Sequence, residues 1–136
     1  MNSLKNYESP QKVRQEKRVL LVDDSPVALA LIGEMLEELN YRVTTAENGL
    51  EALEQVKANP FDLIITDLNM PGMDGIEFAS NAKKTMQCRF TPIIMLSSEE
   101  DSEMISKAKK MGISTFLSKP IKQNKLDAIL NIILGR

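Results

Sequence analysis

The stretch IITDLNMPGMDG, from Ile64 to Gly75, changes character halfway along its length. It opens with apolar residues, as a buried strand does, and the apolar run ends at a carboxylate, Asp67. Pro71 and Gly72 follow a few residues later, and these residue types are typical of a tight turn. The stretch therefore predicts a strand that presents one carboxylate at its end, followed by a stiff loop.

Short apolar runs alternate with helical patterns along the rest of the chain. Five runs predict strands, at residues 19–22, 41–46, 61–66, 92–96 and 114–118. Helix signals follow them: Ser25 as an N-cap, Pro26 as a first helical residue, and Gly112 as a stop after a helix at residues 101–111. The apolar residues predicted to share one side of the first helix are Val27, Leu31, Met35, Leu36 and Leu39.

Alternating strands and helices predict an α/β fold of the flavodoxin-like (βα)5 type, with helices on both faces of a parallel sheet. Strands 1, 3 and 4 read as continuous apolar runs, which is typical of strands buried on both faces. Strands 2 and 5 are mixed, as edge strands are. These patterns predict a five-stranded parallel sheet of order 2-1-3-4-5, in which ligands bind outside the carboxyl ends of strands 1 and 3.

The length and composition of the chain limit the functions that it can have. A chain of 136 residues suits one domain, which we predict at residues 18–136 after a flexible polar tail at residues 1–17. The net charge of −2 argues against direct nucleic-acid binding, and no apolar run suits a membrane span. The single cysteine, Cys88, fits a reducing compartment, so we predict a cytoplasmic protein. Because histidine is absent, this chain carries no phosphohistidine and no His-based triad or zinc site.

Polar residues follow the predicted strands and meet at one edge of the sheet. Strand 1 is followed by Asp23 and Asp24, strand 3 by Asp67, strand 4 by Ser97 and strand 5 by Lys119. Three carboxylates this close cannot all stay ionised without compensation, and such an oxygen site suits Mg²⁺, with Mn²⁺ as a substitute. Asp67 can act as a nucleophile toward a phosphoryl group, whose oxygens Lys119 and Ser97 can hold.

This ordered set resembles the receiver domain of two-component response regulators, the CheY-like domain. The resemblance rests on Asp23-Asp24, on DLNMPGMDG around Asp67, on Ser97 after PIIML, and on Lys119-Pro120, and it covers nearly all of residues 18–136. It implies a phosphoacceptor signalling domain rather than an enzyme, since such a domain catalyses only its own phosphorylation and autodephosphorylation.

The resemblance also implies roles for individual residues. Asp67 would accept phosphate from a phosphohistidine on a sensor histidine kinase or a His-phosphotransfer protein, while Ser97 and Lys119 contact the phosphoryl group. The residues implied in binding Mg²⁺ are Asp23 (through water), Asp24, Asp67 and the backbone carbonyl of Asn69. The positions implied in tuning hydrolysis of the aspartyl phosphate are Asn69, Ser98 and Glu99; Asn69 and Glu99 both match stand-alone chemotaxis regulators.

A switch is implied as well. Ser97 would swing toward the phosphate and Phe116 would turn inward behind it, which alters the surface of helix 4, strand 5 and helix 5 for a protein target. The chain departs from the family at both positions, because the usual Thr is Ser97 and the aromatic is Phe116 rather than Tyr. The protein is expected to be a monomer or a phosphorylation-dependent dimer.

Each motif has a plainer interpretation when it is taken alone. Asp23 and Asp24 are suited to cap the first helix, Lys119 to lie on the surface, and Phe116 to fill the core. One of Ser97 and Ser98 is expected to cap the helix that follows them.

Three functions compete for this sequence. An aspartate-nucleophile phosphatase requires a second acid two residues after the nucleophile, where this chain has Asn69. A flavodoxin-like FMN carrier requires a hydroxyl- or glycine-rich loop after strand 1, where this chain has Asp23 and Asp24. The prediction is therefore a phosphorylation-dependent switch, either as a single-domain regulator of the chemotaxis type or as a receiver excised from a longer regulator.

Overall fold

The computed structural model describes residues 16–135. Its strands are β1 (Arg18–Val22), β2 (Arg42–Ala46), β3 (Leu63–Asp67), β4 (Ile93–Ser97) and β5 (Thr115–Ser118). Its helices are α1 (Pro26–Glu38), α2 (Gly49–Ala58), α3 (Gly75–Lys83), α4 (Ser102–Lys110) and α5 (Gln123–Leu134), with a short 3₁₀ turn at Glu99–Asp101. The predicted tail at residues 1–17 falls almost wholly outside the described residues, so the predicted division of the chain stays a prediction.

The five strands form one parallel sheet in the order β2-β1-β3-β4-β5, which confirms the predicted topology. The three central strands carry almost only buried residues, whereas the two edge strands, β2 and β5, are mixed. The apolar content of each run therefore predicted its place in the sheet, because a central strand is covered by helices on both faces.

Side chains of the sheet alternate between two apolar cores, one on each face. Leu20 and Ile64 belong to the core that α2, α3 and α4 cover, with Phe78 as its largest fully buried side chain. Leu21 and Ile65, one residue further along each strand, belong to the core that α1 and α5 cover. The helices on both faces are as predicted.

Helix starts follow the predicted caps. The hydroxyl oxygen of Ser25 accepts a hydrogen bond from the backbone N–H of Ala28 at 3.2 Å, with Pro26 at the first helical position. The boundaries of the elements differ from the prediction by no more than two residues at most ends. The fourth helix, predicted at residues 101–111, begins at Ser102 and ends at Lys110, and residues 99–101 before it form a 3₁₀ turn.

The apolar side of α1 was predicted wrongly. Val27 and Leu31 are 67% and 55% exposed, and the face against the sheet is formed instead by Leu29, Ile32 and Leu36. The helix is apolar around most of its circumference, so its periodicity defines no single face. Of the remaining residues on the predicted side, Leu36 is buried, and Met35 and Leu39 are partly buried.

No helix within residues 16–135 is both long enough and apolar enough to reach across a bilayer.

Candidate functional site

The carboxyl ends of β1 and β3 bring three carboxylates together. Asp23 and Asp24 directly follow β1, and Asp67 is the last residue of β3. One carboxylate oxygen from each of the three residues lies within 4.8 Å of the other two. Asp23 and Asp67 are 1% and 7% exposed, whereas Asp24 is open to solvent. The predicted cluster thus forms at the predicted edge of the sheet.

Lys119 reaches this cluster from the end of β5. Its Nζ atom lies 3.1 Å from Oδ2 of Asp23 and 3.5 Å from Oδ1 of Asp67. Its backbone N–H donates to the carbonyl of Ser97 at 2.8 Å, which ties the end of β5 to the end of β4. One ammonium group therefore pairs with two of the three carboxylates.

Asp23 is fixed by contacts on both carboxylate oxygens. Its Oδ1 atom accepts from the backbone N–H of Ser25 at 3.0 Å, and its Oδ2 atom accepts from Lys119. Its backbone N–H donates to Ala46 at 3.1 Å. These contacts hold the carboxylate of Asp23 between the start of α1 and Lys119.

The surroundings of Asp67 disfavour the ionised form of its carboxyl group. Burial, followed by the nearby charge of Asp23, raises the pKa of Asp67 to about 6, although Lys119 and the backbone N–H of Asn69 act in the opposite direction. Burial alone would lower the pKa of Lys119, but its hydrogen bond to Asp23 and the charges of both aspartates raise it. The site as it stands favours any ligand that brings positive charge to the carboxylates.

A divalent cation fits this set of donors. Three carboxylates and one ammonium leave an excess of negative charge, and all the side-chain donors of the cluster are oxygens. Hard cations with oxygen ligands match such a site, and the exposed Asp24 leaves room for coordinated water. The residues present therefore fit a hard divalent cation, and the choice of Mg²⁺ stays a prediction.

A neutral side chain at position 67 is expected to stabilise the metal-free protein. Because the pKa of Asp67 is raised on folding, the folded state binds the proton more tightly than the unfolded chain does. The resulting cost is fully present above pH 6 and disappears as both states become protonated below about pH 4. We expect Asp67→Asn to raise the free energy of unfolding by roughly 1–3 kcal/mol at neutral pH, and by little at pH 4.

Chemical denaturation of both proteins in chelator across this pH range measures the difference. The control is Glu37→Gln, which removes one exposed carboxylate near the end of α1 and should change stability little at any pH. Equal stability of Asp67→Asn and wild type at pH 7.5 would show that the carboxylate carries no such cost.

The loop after Asp67 doubles back tightly onto the strand end. The backbone N–H of Gly75 donates to the carbonyl of Leu68 at 2.9 Å, and Asp74 caps α3 by accepting from Glu77 at 2.9 Å. A Cβ atom at position 75 would collide with the backbone carbonyl of Asp67 and would lie 2.9 Å from the Cα atom of Leu68. Glycine is therefore required here by close approach of the backbone.

We expect Gly75→Ala to lower the free energy of unfolding by about 1–3 kcal/mol, because the backbone at Asp67 has to shift. Gly33→Ala on α1 is the matched control, since its added Cβ would meet nothing within 4 Å. That substitution should stabilise the protein by about 0.5–1 kcal/mol through helix propensity. Denaturant unfolding of both variants tests the contrast, and similar effects of the two would contradict it.

The remaining predicted site residues lie around this centre. Ser97 is buried at the end of β4, and Asn69 is exposed in the loop beside Asp67. Phe116 on β5 is partly buried against the core under α4, and the Nζ atom of Lys109 lies 5.9 Å from the centre of its ring. Glu99 is exposed in the 3₁₀ turn. Their assigned roles in phosphorylation, switching and tuning remain predictions.

Ser98 caps the turn that precedes α4. Its backbone N–H donates to Oδ2 of Asp101 at 2.8 Å, and its hydroxyl donates to Glu100 at 2.8 Å. Asp101 is buried and was not singled out in the sequence analysis. The spacing Ser98-x-x-Asp101 is that of a capping box and could have identified it.

Comparison with known proteins identifies the family. A family model described as "Response regulator receiver domain" matches residues 19–131. The chain belongs to this family. The receiver domain is thus a CheY-like signalling domain of two-component systems, and its fold and its acidic cluster are those expected from the sequence.

Three relatives illustrate the range of proteins that resemble this receiver domain. The signal transduction histidine-protein kinase BarA of Shigella flexneri is 37% identical over 112 residues, which are 82% of this chain but only 12% of BarA. The structure of the chemotaxis response regulator CheY4 of Vibrio cholerae is 36% identical, with a TM-score of 0.81, and the match covers 88% of this chain and 99% of that one.

The third relative is the receiver domain of the sensor histidine kinase PA1611 of Pseudomonas aeruginosa. It is 31% identical, with a TM-score of 0.80, over 89% of this chain and 99% of that one. Its structure has a magnesium ion coordinated in the active site cleft.

Proposed function

We propose that this receiver domain accepts a phosphoryl group on Asp67, in the presence of Mg²⁺, from a phosphohistidine of a sensor histidine kinase or a His-phosphotransfer protein. The observation that carries the proposal is the placement of Asp67. It ends a central strand, lies 3.5 Å from the ammonium of Lys119, and shares the cluster with two other carboxylates. The similarity to the histidine-protein kinase BarA and to the receiver domain of the sensor histidine kinase PA1611 supports a donor of the kinase type.

Asp67 is the best placed of the three carboxylates to act as the nucleophile. Asp23 engages both of its oxygens with Ser25 and Lys119, so its attack would break two contacts that hold the site. Asp24 is exposed to solvent. Asp67 is buried, and the Nζ atom of Lys119 lies 3.5 Å from its Oδ1 atom.

The reaction is a transfer from nitrogen to oxygen. A carboxylate oxygen of Asp67 bonds to phosphorus while the bond between phosphorus and the imidazole nitrogen of the donor breaks. The electron pair of that bond returns to the imidazole, which takes up a proton, and an acyl phosphate remains on Asp67. Phosphoryl transfer needs mainly positioning and charge neutralisation, and Lys119 and the buried Ser97 hydroxyl are suited to hold the phosphoryl oxygens.

Asp24, Asp67 and the backbone carbonyl of Asn69 would hold the Mg²⁺ ion, with Asp23 helping through water, and Mn²⁺ is a substitute for the ion. When bound, the ion neutralises charge on the carboxylates and on the incoming phosphoryl oxygens. The magnesium in the similar PA1611 receiver domain supports this choice of metal.

The output would be a change in the surface formed by α4, β5 and α5. Ser97 and Phe116 would act as the switch, and Asn69, Ser98 and Glu99 would set the lifetime of the acyl phosphate. The buried Ser97 lies at the end of β4, and Phe116 lies on the neighbouring strand β5, where it is partly buried. The Nζ atom of Lys109 on α4 is 5.9 Å from the centre of the Phe116 ring, so a movement of Phe116 would alter its contact with α4. We propose that a protein target binds this surface.

The domain would act in signalling and modify only itself. The chain spans nearly all of CheY4 but only 12% of BarA, so a single-domain regulator, including one of the chemotaxis type, and a receiver within a longer protein both stay open. Neither assignment is needed for the chemistry. A cytoplasmic location and a monomer or phosphorylation-dependent dimer stay predictions from the sequence.

The mass of the intact protein after incubation with phosphoramidate tests the proposal. We expect a gain of one phosphoryl group with Mg²⁺, a similar gain with Mn²⁺, and little gain in excess chelator. A metal-independent gain would contradict the proposed site. So would no gain with phosphoramidate, acetyl phosphate and a phosphorylated His-phosphotransfer protein alike.

A further inference from the structure

The turn between α3 and β4 displays two large apolar side chains to solvent. Met86 and Phe90 are 91% and 87% exposed, and the same segment carries the exposed basic residues Lys84 and Arg89. No acidic residue occurs between residues 83 and 92. Because this segment precedes β4, it lies at the edge of the sheet opposite to Asp67. We call residues 84–90 the basic turn.

Hydrogen bonds hold the basic turn in place. The amide of Gln87 donates to the carbonyl of Lys57 on α2 at 3.0 Å, and the N–H of the fully buried Cys88 donates to Thr85 at 3.2 Å. The Arg89 guanidinium lies 5.5 Å from the centre of the Phe90 ring. A pinned loop that exposes a Met and a Phe binds with little loss of conformational freedom, which is typical of a docking element.

A groove of complementary character lies elsewhere on the molecule. It has a volume of about 510 Å³ between α1 and the edge strand β2, and its walls include Leu31 and Val43. Glu34 and Glu37 also line it, and none of the described residues that line it is basic. Neither glutamate forms an ion pair within residues 16–135. We call this feature the acidic groove.

We propose that a second copy of this chain docks its basic turn in the acidic groove. Phe90 and Met86 would cover the apolar wall that includes the half-exposed Leu31, and Arg89 would approach Glu34 and Glu37. The charges of the two surfaces are opposite, and both surfaces combine apolar and charged residues. This match on one molecule favours self-association over an unrelated acidic partner.

The contact joins two different surfaces and is therefore heterologous. Each added copy leaves one free basic turn and one free acidic groove, so growth continues beyond a dimer unless a ring closes. The contact also leaves the surface of α4, β5 and α5 open. It is thus separate from phosphorylation at Asp67, and it should persist in Asp67→Asn. The proposal therefore departs from the monomer or phosphorylation-dependent dimer expected from the sequence.

Sedimentation velocity of the full chain without a phosphodonor, from about 10 to about 500 µM at low salt, measures the association. We expect the average mass to rise with concentration past that of a dimer, or to level off at a ring, and to fall in high salt. Phe90→Ala should weaken the association at least about tenfold. Ile132→Ala is the matched control, since Ile132 on α5 is 81% exposed outside both surfaces. A chain that stays monomeric throughout, or equal effects of the two variants, would overturn the proposal.

A charge exchange tests which surfaces meet. Arg89→Glu cancels the net positive charge of the basic turn, because Lys84 remains, and leaves the groove of that chain intact. Glu34→Lys cancels the net negative charge of the acidic groove, because Glu37 remains, and leaves the turn of that chain intact. Each variant alone should associate less than wild type, and a mixture of the two should recover the association. Recovery would support this pairing of surfaces, and no recovery in the mixture would overturn it.

Discussion

The Asp67→Asn variant is expected to take up no detectable phosphoryl group from phosphoramidate, a loss of at least about a thousandfold in rate. An amide nitrogen or oxygen at this position lacks the nucleophilicity of a carboxylate, so the bond to phosphorus cannot form. The substitution keeps the size of the side chain and removes only the charge. It is also expected to stabilise the metal-free fold, so loss of uptake would not reflect unfolding.

Intact mass after a timed incubation with Mg²⁺ measures this effect. Glu37→Gln is the control, because it removes a carboxylate near the far end of α1 and should leave uptake unchanged. Uptake by Asp67→Asn at a rate near that of wild type would assign the phosphoryl group to another residue. The roles given to Lys119 and Ser97 would then need to be reconsidered.

The Asp24→Asn variant is expected to bind Mg²⁺ at least about tenfold more weakly than wild type, because the affinity of such sites depends on the number of charged ligands. Asp24 is exposed and directly follows β1, so its carboxylate is the donor of the cluster with the least structural role. Stability of the metal-free protein should therefore change little or rise slightly, since one of three like charges is removed.

The chain has no tryptophan, so metal binding is best followed by calorimetry or by the electron paramagnetic resonance signal of Mn²⁺. Glu37→Gln again serves as the matched control for loss of one negative charge. Equal affinity of wild type and Asp24→Asn would place the cation elsewhere in the molecule. A loss in both variants would indicate general attraction by the surface charge.

The order of strands in the sheet could be predicted because the composition of each short run indicates whether that strand is central or at an edge. Runs such as VLLV before Asp23 and LIIT before Asp67 are buried on both faces and show it in their composition. Once these runs were assigned to the middle of the sheet, their final residues had to meet at one edge. The acidic cluster followed from this topology alone.

Features that depend on packing were missed or wrong. The face of α1 was predicted wrongly, because Val27 and Leu31 are as apolar as the buried Leu29 and Ile32. The ion pair between Asp23 and Lys119 joins residues 96 positions apart and has no signal in the spacing of the sequence. Pairings of this kind follow from the register of β1, β3, β4 and β5 together, which no single segment encodes.

The close approach of the backbone at Gly75 is another feature that depends on packing. Pro71 and Gly72 predicted the turn, but the reason for glycine at position 75 is the carbonyl of Asp67, which occupies the space a Cβ would need. The sequence therefore predicted which residues form the site. It did not predict how rigidly the loop holds the end of β3.

The most direct test of the account locates the phosphoryl group on the chain. Borohydride converts an aspartyl phosphate to homoserine, and peptide mass analysis of the treated protein identifies the converted residue. We expect homoserine at position 67 alone, and only after incubation with a phosphodonor and Mg²⁺. Homoserine at Asp23 or Asp24, or a stable phosphate ester on Ser97, would contradict it.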